Sequence, residues 1–242
     1  MAPLQTIEAV LLDMDGTLVN SIKAAERVWS AWAHRHGLDV ETFLPTIHGV
    51  QSVETIRRLA LANLDPVREA AAITQAEIDD TDGIEAIAGA AEFLGALPAA
   101  CWAVVTSAPR ALALRRLRAA GLPAPALLIA AEDVRHSKPA PECFELAARN
   151  LGTTADQCLV FEDSLAGITA AERAGATVLV VTETHARPMP VEHCTIRDYR
   201  ELLVQSSPDG EITIRHARAP EGASAGMFCR LRAPAATRPS LT

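Results

Sequence analysis

Five short runs of consecutive apolar residues, each ended by polar residues, constrain the fold of this chain more than any other feature. The runs are residues 9–12, 102–105, 127–130, 158–161 and 178–181. Because apolarity is continuous within each run rather than alternating, we expect strands that are covered on both faces. The segments between the later runs have helical patterns, over residues 110–120, 141–152 and 164–175. Strands that alternate with helices predict a parallel α/β sheet.

A segment between the first two runs, residues 18–83, breaks this alternation and has no strong strand pattern. Apolar residues recur at helical spacing around Trp29 and Trp32, with Gly37 as a stop signal, and again through residues 56–78. We therefore expect an all-helical insertion after the first strand, with the two tryptophans in a small core of its own.

The last part of the chain has a different pattern. Pro208-Asp209-Gly210 is a turn signal, and residues 212–214 could close a hairpin behind it. From Ala217 onward alanine, proline, arginine and glycine follow without periodicity, so we expect a mobile tail. The expected division is an α/β core of residues 1–17 and 84–216, a helical insertion of residues 18–83 and a tail of residues 217–242.

Composition argues against several classes of protein. A chain of 242 residues can bury a substantial core, and a charged content of 21% argues against extended disorder. The formal net charge of −8 argues against nucleic-acid binding, which requires a basic surface. No apolar stretch approaches the roughly 20 residues of a membrane span, and we expect no signal peptide. The five cysteines include no CxxC pair, so a cytoplasmic protein without disulfides is expected.

The motif Asp13-Met14-Asp15-Gly16-Thr17 comes directly after the first apolar run. Two carboxylates on one short turn repel each other unless a cation lies with them. Mg²⁺ suits such a place because it prefers oxygen ligands, and a glycine lets the chain turn sharply. A cluster of helix-capping aspartates is the structural alternative.

A second acidic pair, Glu162-Asp163, follows the fourth run. Because the carboxyl ends of parallel strands share one edge of the sheet, both acidic motifs are expected at the same edge. The pair could complete a metal site there, and a solvated loop before a helix cap is the alternative.

Thr106, Ser107 and Lys138 add groups that bind phosphate. Thr106-Ser107 ends the second run and offers hydroxyl and backbone donors. Lys138 is one of only two lysines in a chain rich in arginine, which indicates a need for a compact point charge; a surface lysine is the alternative. Together with the acidic motifs these groups suit phosphoryl transfer, in which an aspartate nucleophile forms an aspartyl-phosphate.

Four stretches of the chain resemble the motifs of the haloacid dehalogenase superfamily of phosphotransferases. They are DMDGT at 13–17, VVTSA at 104–108, the lysine in SKPAPE at 137–142, and FEDSLAG at 161–167. The resemblance implies a Rossmann-like core with a central parallel sheet and a helical cap of four or five helices inserted after the first motif.

The resemblance also implies catalytic roles. Asp13 would attack phosphorus, and Asp15 would protonate the leaving oxygen and then activate water. Thr106, Lys138 and the backbone N–H of Ser107 would hold the phosphate.

A magnesium site is implied in the same way. Mg²⁺ would be held by the side chain of Asp13, the backbone carbonyl of Asp15 and Asp163. Glu162 would lie close by or bind through water.

Residues 19–38 and 46–59 resemble a narrower group, the small cytosolic sugar- and polyol-phosphate phosphatases. The group includes bacterial hexitol-phosphate, glycerol-phosphate and 2-deoxyglucose-6-phosphate phosphatases. The resemblance implies a cap loop at His48, Gly49 and Gln51 that faces a small phosphorylated sugar or polyol. Gln51 stands where the glycerol and deoxyglucose types carry an arginine. We expect a monomer or weak dimer that binds neither nucleic acid nor membrane.

Three other functions stay open on the sequence: a mutase, a dehalogenase or phosphonate hydrolase, and a non-catalytic binding or regulatory protein. Mutases of the β-phosphoglucomutase type share the four motifs, but the places where they carry valine, histidine and arginine hold Thr17, Ala25 and Ser52 here. Dehalogenases of this superfamily lack the second aspartate, which is present as Asp15. Phosphonate hydrolases use a cap lysine, and Lys23 lies near the hinge. A non-catalytic protein on this fold is expected to lose a motif residue, and none is lost.

Overall fold

The computed structural model describes residues 5–47, 49–206, 212–217 and 228–231. The strands in this part of the chain are β1 (Gln5–Ile7), β2 (Ala9–Leu12), β3 (Val19–Asn20), β4 (Glu85–Ala86), β5 (Trp102–Val105), β6 (Leu128–Ile129), β7 (Cys158–Glu162), β8 (Thr177–Val181), β9 (Cys194–Ile196), β10 (Leu202–Ser206), β11 (Ile212–His216) and β12 (Phe228–Leu231). The α-helices are α1 (Ile22–Arg35), α2 (Val40–Phe43), α3 (Ser52–Arg58), α4 (Pro66–Asp79), α5 (Ala90–Gly95), α6 (Arg110–Ala119), α7 (Glu142–Asn150) and α8 (Leu165–Arg173).

A six-stranded parallel sheet in the order β6-β5-β2-β7-β8-β9 forms the centre of the fold. Every residue of β2, β5 and β7 is buried, which confirms that the continuous apolar runs are strands covered on both faces. Because β2 lies between β5 and β7, the carboxyl ends of these three strands meet at one edge of the sheet. The predicted α/β fold is confirmed. The edge strand β9 was not predicted, because its three residues form no apolar run.

Two apolar layers cover the sheet. Helices α5 and α6 pack on one face through residues such as Phe93 and Leu117, next to Phe161 of β7. Helices α7 and α8 cover the other face, where Phe144 and Ile168 are buried. The sheet is therefore held rigidly between helices, and its carboxyl edge is a fixed platform for side chains.

The insertion after β2 contains helices α1 to α4 and has its own apolar cluster. Trp29, Trp32 and Phe43 pack against one another with ring centroids 5.7–5.8 Å apart. The predicted core position of both tryptophans is confirmed, since Trp29 and Trp32 are buried. The insertion is not wholly helical, because the two-residue strand β3 pairs with β4 where the chain returns to the core. This short two-stranded ladder links the two segments in which the chain passes between the core and the insertion.

A small second sheet in the order β1-β12-β11-β10 combines one strand from the start of the chain with three from its last part. Strands β10 and β11 are antiparallel, as expected for a hairpin, and its predicted turn at 208–210 lies outside the described residues. The prediction of a mobile tail from Ala217 onward is wrong for residues 228–231, which form β12 between β1 and β11. A four-residue strand whose partner β1 stands at the opposite end of the chain leaves no local signal. None of the helices in the described residues has the length and apolarity that crossing a membrane requires.

Candidate active site

The side chain of Lys138 lies at the centre of the carboxyl edge of the sheet, between residues at the carboxyl ends of β2, β5 and β7. Its ammonium nitrogen is 2.5 Å from Oδ1 of Asp13, 2.6 Å from Oε1 of Glu162 and 3.1 Å from the backbone carbonyl of Val105. These three acceptors match the three N–H donors of an ammonium group. The lysine is only 2% exposed, which excludes the alternative that Lys138 is a surface lysine.

The charge of Lys138 is stabilised by this surrounding. Burial lowers the pKa of a lysine, but the carboxylates of Asp13 and Glu162 outweigh that effect and raise the pKa above its ordinary value. The residue is therefore a permanent cation next to Asp13.

Negative charge exceeds positive charge around Asp13. Burial raises the pKa of Asp13 to about 7, with Glu162 and Asp15 adding to the rise and Lys138 opposing it. Burial, Glu162 and Asp13 likewise raise the pKa of Asp163 well above its ordinary value. A further cation beside these carboxylates would restore their ionised forms.

The donor set fits a hard divalent cation. Asp13, Glu162 and Asp163 each offer a carboxylate oxygen, and these atoms lie within 4.8 Å of one another. Oxygen donors of this kind are the ligands that Mg²⁺ and Ca²⁺ prefer. Asp13 and Asp163 are the freer ligands, because both oxygens of Glu162 already accept hydrogen bonds.

Glu162 connects Lys138 to the loop that follows β7. Its Oε1 accepts from Lys138, and its Oε2 accepts from the backbone N–H of Asp163 at 2.9 Å and of Ser164 at 3.0 Å. The carboxylate fits only because residue 167 is glycine, since a Cβ there would lie 1.6 Å from Oε1. Glu162 therefore fixes both the lysine and the loop that carries Asp163.

Gly16 is required where the first motif turns. Its φ is +88°, a conformation that favours glycine, and a Cβ would lie 1.9 Å from Oδ2 of Asp163. Thr17 donates a long hydrogen bond of 3.4 Å to the other oxygen of Asp163. The turn thus brings the two acidic motifs into contact.

Both oxygens of the second aspartate, Asp15, are held by side chains. Its Oδ1 accepts from Oγ of Ser21 at 2.5 Å, and its Oδ2 lies 2.9 Å from Nη1 of Arg116. Arg116 also pairs with Oε1 of Glu77 at 3.0 Å. Arg116 is not among the residues that the sequence analysis identifies. Leu112 and Arg116 are four residues apart and share the apolar face of α6, so helical spacing is the signal that indicates a buried arginine.

Thr106 and Ser107 follow β5 and face the same cavity. The hydroxyl of Thr106 accepts from the backbone N–H of Ala108 at 3.0 Å, so its proton is free to donate to a ligand. Ser107 donates to the backbone carbonyl of Gly49 at 3.3 Å, which joins the core to the cap loop.

A cavity of about 900 Å³ extends from these residues into the helical insertion. Its walls include Asp13, Asp15, Thr106 and Asp163 from the core. From the insertion they include Glu26, Trp29, Glu41, Ile47, Gly49, Val50 and Glu77. This volume suits a small molecule rather than a polymer.

The predicted cap-loop residues have different positions. Gly49 lies in the cavity wall. The side chain of Gln51 points to the core, where it donates to the backbone carbonyl of Ala131 at 3.3 Å. His48 lies outside the described residues. An unpredicted residue, His185, lines the cavity, and its Nε2 is 2.8 Å from the backbone carbonyl of Asp163; no motif marks it.

The parallel sheet, the buried lysine among carboxylates at its carboxyl edge and the inserted helical cap together define a class of α/β hydrolytic enzymes. The family described as haloacid dehalogenase-like hydrolase matches residues 7–175. The chain belongs to this family and is a hydrolase, as its motifs indicated.

Several relatives of this chain are named as phosphatases. The chain is 37% identical over 210 residues to hexitol phosphatase A of Escherichia coli strain K12, covering 85% of this chain and 97% of the relative. It is 34% identical over 205 residues to validoxylamine A 7'-phosphate phosphatase of Streptomyces hygroscopicus subsp. limoneus, covering 81% and 95%. The structure of CbbY from Rhodobacter sphaeroides in complex with phosphate superposes with a TM-score of 0.68 at 25% identity, covering 81% and 96%. The expected similarity to hexitol-phosphate phosphatases is confirmed.

Proposed function

We propose that this enzyme is a Mg²⁺-dependent phosphomonoester hydrolase that acts on small phosphorylated sugars or polyols through an aspartyl-phosphate at Asp13. The observation that carries the proposal is the contact between Lys138 and Asp13 at the floor of a cavity roofed by the helical cap. The names of the relatives support the substrate class.

In the first step a carboxylate oxygen of Asp13 attacks phosphorus, and the bond from phosphorus to the sugar oxygen breaks. Asp15 gives its proton to that oxygen, so the sugar leaves as a neutral alcohol. Lys138 and Thr106 offset the charge on the phosphoryl oxygens. The products of this step are the free alcohol and a phosphoryl group bonded to Asp13.

In the second step a water molecule attacks the same phosphorus. Asp15, now a carboxylate, takes the proton of the water, and the bond between phosphorus and Asp13 breaks. Inorganic phosphate is released, Asp13 is a carboxylate again, and Asp15 is protonated again.

The metal site belongs to the same proposal. Asp13, Asp163 and the backbone carbonyl of Asp15 would hold Mg²⁺, and Glu162 would support them through its bonds to Lys138 and the loop. When bound, the ion supplies charge neutralisation for a phosphoryl group. The crowding of carboxylates around one lysine supports this assignment.

The cavity wall favours substrates in which the phosphate to be removed is the sole anionic group. The described cap residues in that wall include neither lysine nor arginine, but they include Glu26, Glu41 and Glu77, of which Glu77 is paired with Arg116 of the core. A second phosphate or a carboxylate would face these acids, whereas sugar hydroxyls can donate hydrogen bonds to them.

The same wall disfavours the mutase alternative. A mutase that returns phosphate to another hydroxyl has to hold a sugar with two phosphates. Among the described residues the cap wall offers no cationic partner for the second phosphate, and Arg116 of the core, which also lines the cavity, is already paired with Asp15 and Glu77. Hydrolysis therefore agrees better with the charges of the cavity.

The proposal is tested by phosphate release from a panel of hexitol, hexose, pentose and glycerol phosphates with and without Mg²⁺. We expect Mg²⁺-dependent release of phosphate with the free alcohol as co-product. Absence of release from the whole panel, formation of an isomeric phosphate instead, or full turnover after complete removal of divalent metal would contradict it.

A further inference from the structure

Arg116 is a buried arginine that joins the core to the cap. It lies on α6 of the core and is only 5% exposed. One terminal nitrogen is 2.9 Å from Oδ2 of Asp15, and the other is 3.0 Å from Oε1 of Glu77 on α4 of the cap. A single guanidinium therefore pairs with the proposed acid–base residue and with a residue of the cap.

A buried ion pair of this kind contributes little to the stability of a contact between two helices, because both charges are taken out of water. The Nε of Arg116 is buried and has no hydrogen-bond partner within the described residues, which adds to that cost. Helices α4 and α6 also contact each other apart from this ion pair, for example through the hydrogen bond that Arg115 donates to the backbone carbonyl of Ile78. The contact between Arg116 and Asp15 therefore indicates a role for the arginine beyond packing.

Asp15 is held from two sides by this network. Oγ of Ser21, the residue before α1 of the cap, donates to Oδ1, and Arg116 binds Oδ2. A carboxylate held at both oxygens has one orientation, and proton transfer depends on such orientation. Both holding groups depend on where the cap lies, Ser21 because it begins the cap and Arg116 because Glu77 shares its guanidinium.

We propose that Arg116 is a positioning residue that orients the carboxylate of Asp15 and, through Glu77, makes that orientation depend on the docking of α4 against α6. The inference rests on the proposed function, in which Asp15 exchanges the proton of the leaving oxygen. Arg116 itself transfers no proton and forms no bond to substrate.

A comparison of leaving groups separates positioning from packing. A sugar alcohol departs only when its oxygen receives a proton, whereas 4-nitrophenolate departs without one. Loss of orientation at Asp15 therefore slows phosphorylation of the enzyme by a sugar phosphate more than by 4-nitrophenyl phosphate. A merely structural role of Arg116 would affect both substrates equally.

The experiment measures kcat and KM of the Mg²⁺-loaded enzyme on sorbitol 6-phosphate, glycerol 1-phosphate and 4-nitrophenyl phosphate for the wild type, Arg116→Met, Arg116→Lys and Glu77→Gln. For Arg116→Met we expect the ratio of kcat/KM on the faster alkyl ester to kcat/KM on the aryl ester to fall by about 10-fold or more, since kcat/KM reports the phosphorylation of the enzyme and general acid catalysis contributes about 10²–10⁴-fold. Arg116→Lys, which keeps the charge, should recover part of this ratio. Glu77→Gln should lower the ratio less than Arg116→Met.

Arg115→Met is the matched control. Arg115 lies beside Arg116 on α6 and its Nε contacts the same cap helix, through the backbone carbonyl of Ile78 at 3.3 Å, but it does not contact Asp15. We expect its substrate ratio to equal that of the wild type.

The outcomes distinguish this inference from the function on which it rests. If the wild type hydrolyses none of the three esters, the proposed function fails. If the wild type is active but Arg116→Met lowers kcat/KM of the alkyl and aryl esters equally, only the role of Arg116 is overturned. Should Arg116→Met fail to fold, Arg116→Lys and Glu77→Gln decide, and unchanged ratios in both overturn the proposal.

Discussion

The ammonium nitrogen of Lys138 lies 2.5 Å from Oδ1 of Asp13, although 125 positions of sequence separate the two residues. The pair is buried, and Glu162 approaches the same ammonium group from the other side. One cation thus serves two carboxylates, and the environment of the proposed nucleophile depends on residues from three parts of the chain.

Replacement of Asp13 by asparagine should abolish turnover and preserve the fold. The amide cannot form the phosphorylated intermediate, and it removes one of several crowded carboxylates, so the folded state loses repulsion together with one ion pair. Phosphate release should fall to background, while the melting temperature measured by circular dichroism stays close to that of the wild type. Residual turnover above background would contradict the assignment of Asp13 as nucleophile.

Stabilisation by Mg²⁺ should increase with pH. Without a bound metal ion, the pKa of Asp13 rises from 3.8 to about 7 on folding. The folded protein therefore binds this proton more tightly than the unfolded chain does. The stability that the proton provides is present below pH 3.8 and is lost as the pH rises towards about 7. Metal binding requires the ionised carboxylate, so its contribution grows over the same range.

The measurement is the increase in melting temperature on addition of Mg²⁺, followed from about pH 5 to about pH 8, the range in which carboxylates with raised pKa values titrate. Asp13→Asn is the control and should show a smaller increase with a weaker pH dependence. An increase that is equal at every pH would count against Asp13 as a ligand.

Replacement of Lys138 by methionine should destabilise the protein strongly. The change leaves Asp13 and Glu162 without their shared cation in a buried place, and breaking a buried pair costs about 3–5 kcal/mol. Urea unfolding measures this loss. Adding Glu162→Gln to Lys138→Met should recover part of the stability without restoring activity, because one buried charge is removed. No recovery in the double variant would show that the two residues are not coupled.

Replacement of Gly167 by alanine should weaken the metal site. The new Cβ would lie 1.6 Å from Oε1 of Glu162, so that carboxylate has to move away from Lys138 and from the loop that carries Asp163. Mg²⁺ affinity measured by titration calorimetry should fall about 10-fold or more, as losses of supporting groups around metal ligands do.

Gly95→Ala provides the matched control for this change. Gly95 is the last residue of α5, and a Cβ there would meet nothing within 4 Å. We expect unchanged metal affinity and a stability equal to or slightly above that of the wild type, by at most about 1 kcal/mol. Equal metal affinities of the two alanine variants would refute the supporting role of Glu162.

Substrates with a second phosphate should be poor ones. The cap side of the cavity presents Glu26 and Glu41, so a hexose bisphosphate should show a kcat/KM at least about 10-fold below that of the monophosphate, a difference of about 1.4 kcal/mol. Glu26→Gln with Glu41→Gln should narrow this difference, mainly through KM. Glu145→Gln, on α7 outside the cavity wall, is the control. A bisphosphate that is turned over as well as the monophosphate would refute selection by charge.

Much of the fold follows from local patterns. The continuous apolar runs of β2, β5 and β7 identify strands buried on both faces, because only a doubly covered strand can hide so many adjacent apolar side chains. The residues that follow these runs could then be placed at one edge of the sheet. Lys138 could be singled out too, because lysine is so rare in this chain.

Other features had no local signal. Residues 228–231 pair with β1 and β11, and a four-residue strand acquires its partners only when both ends of the chain meet. The cap-loop resemblance predicts that Gln51 faces the substrate, yet its side chain donates to the backbone carbonyl of Ala131 in the core.

The amino-acid sequence by itself therefore determined the α/β core, the helical insertion and which strand ends carry acids, hydroxyls and a lysine, because burial and backbone geometry act over a few neighbouring residues. Only the tertiary structure decided that Arg116 pairs with Asp15 and Glu77, and that Glu162 is enclosed by Lys138 and the loop after it. Such contacts depend on distances of a few ångströms between side chains far apart in the chain, and those distances are set by how the helices and the sheet pack.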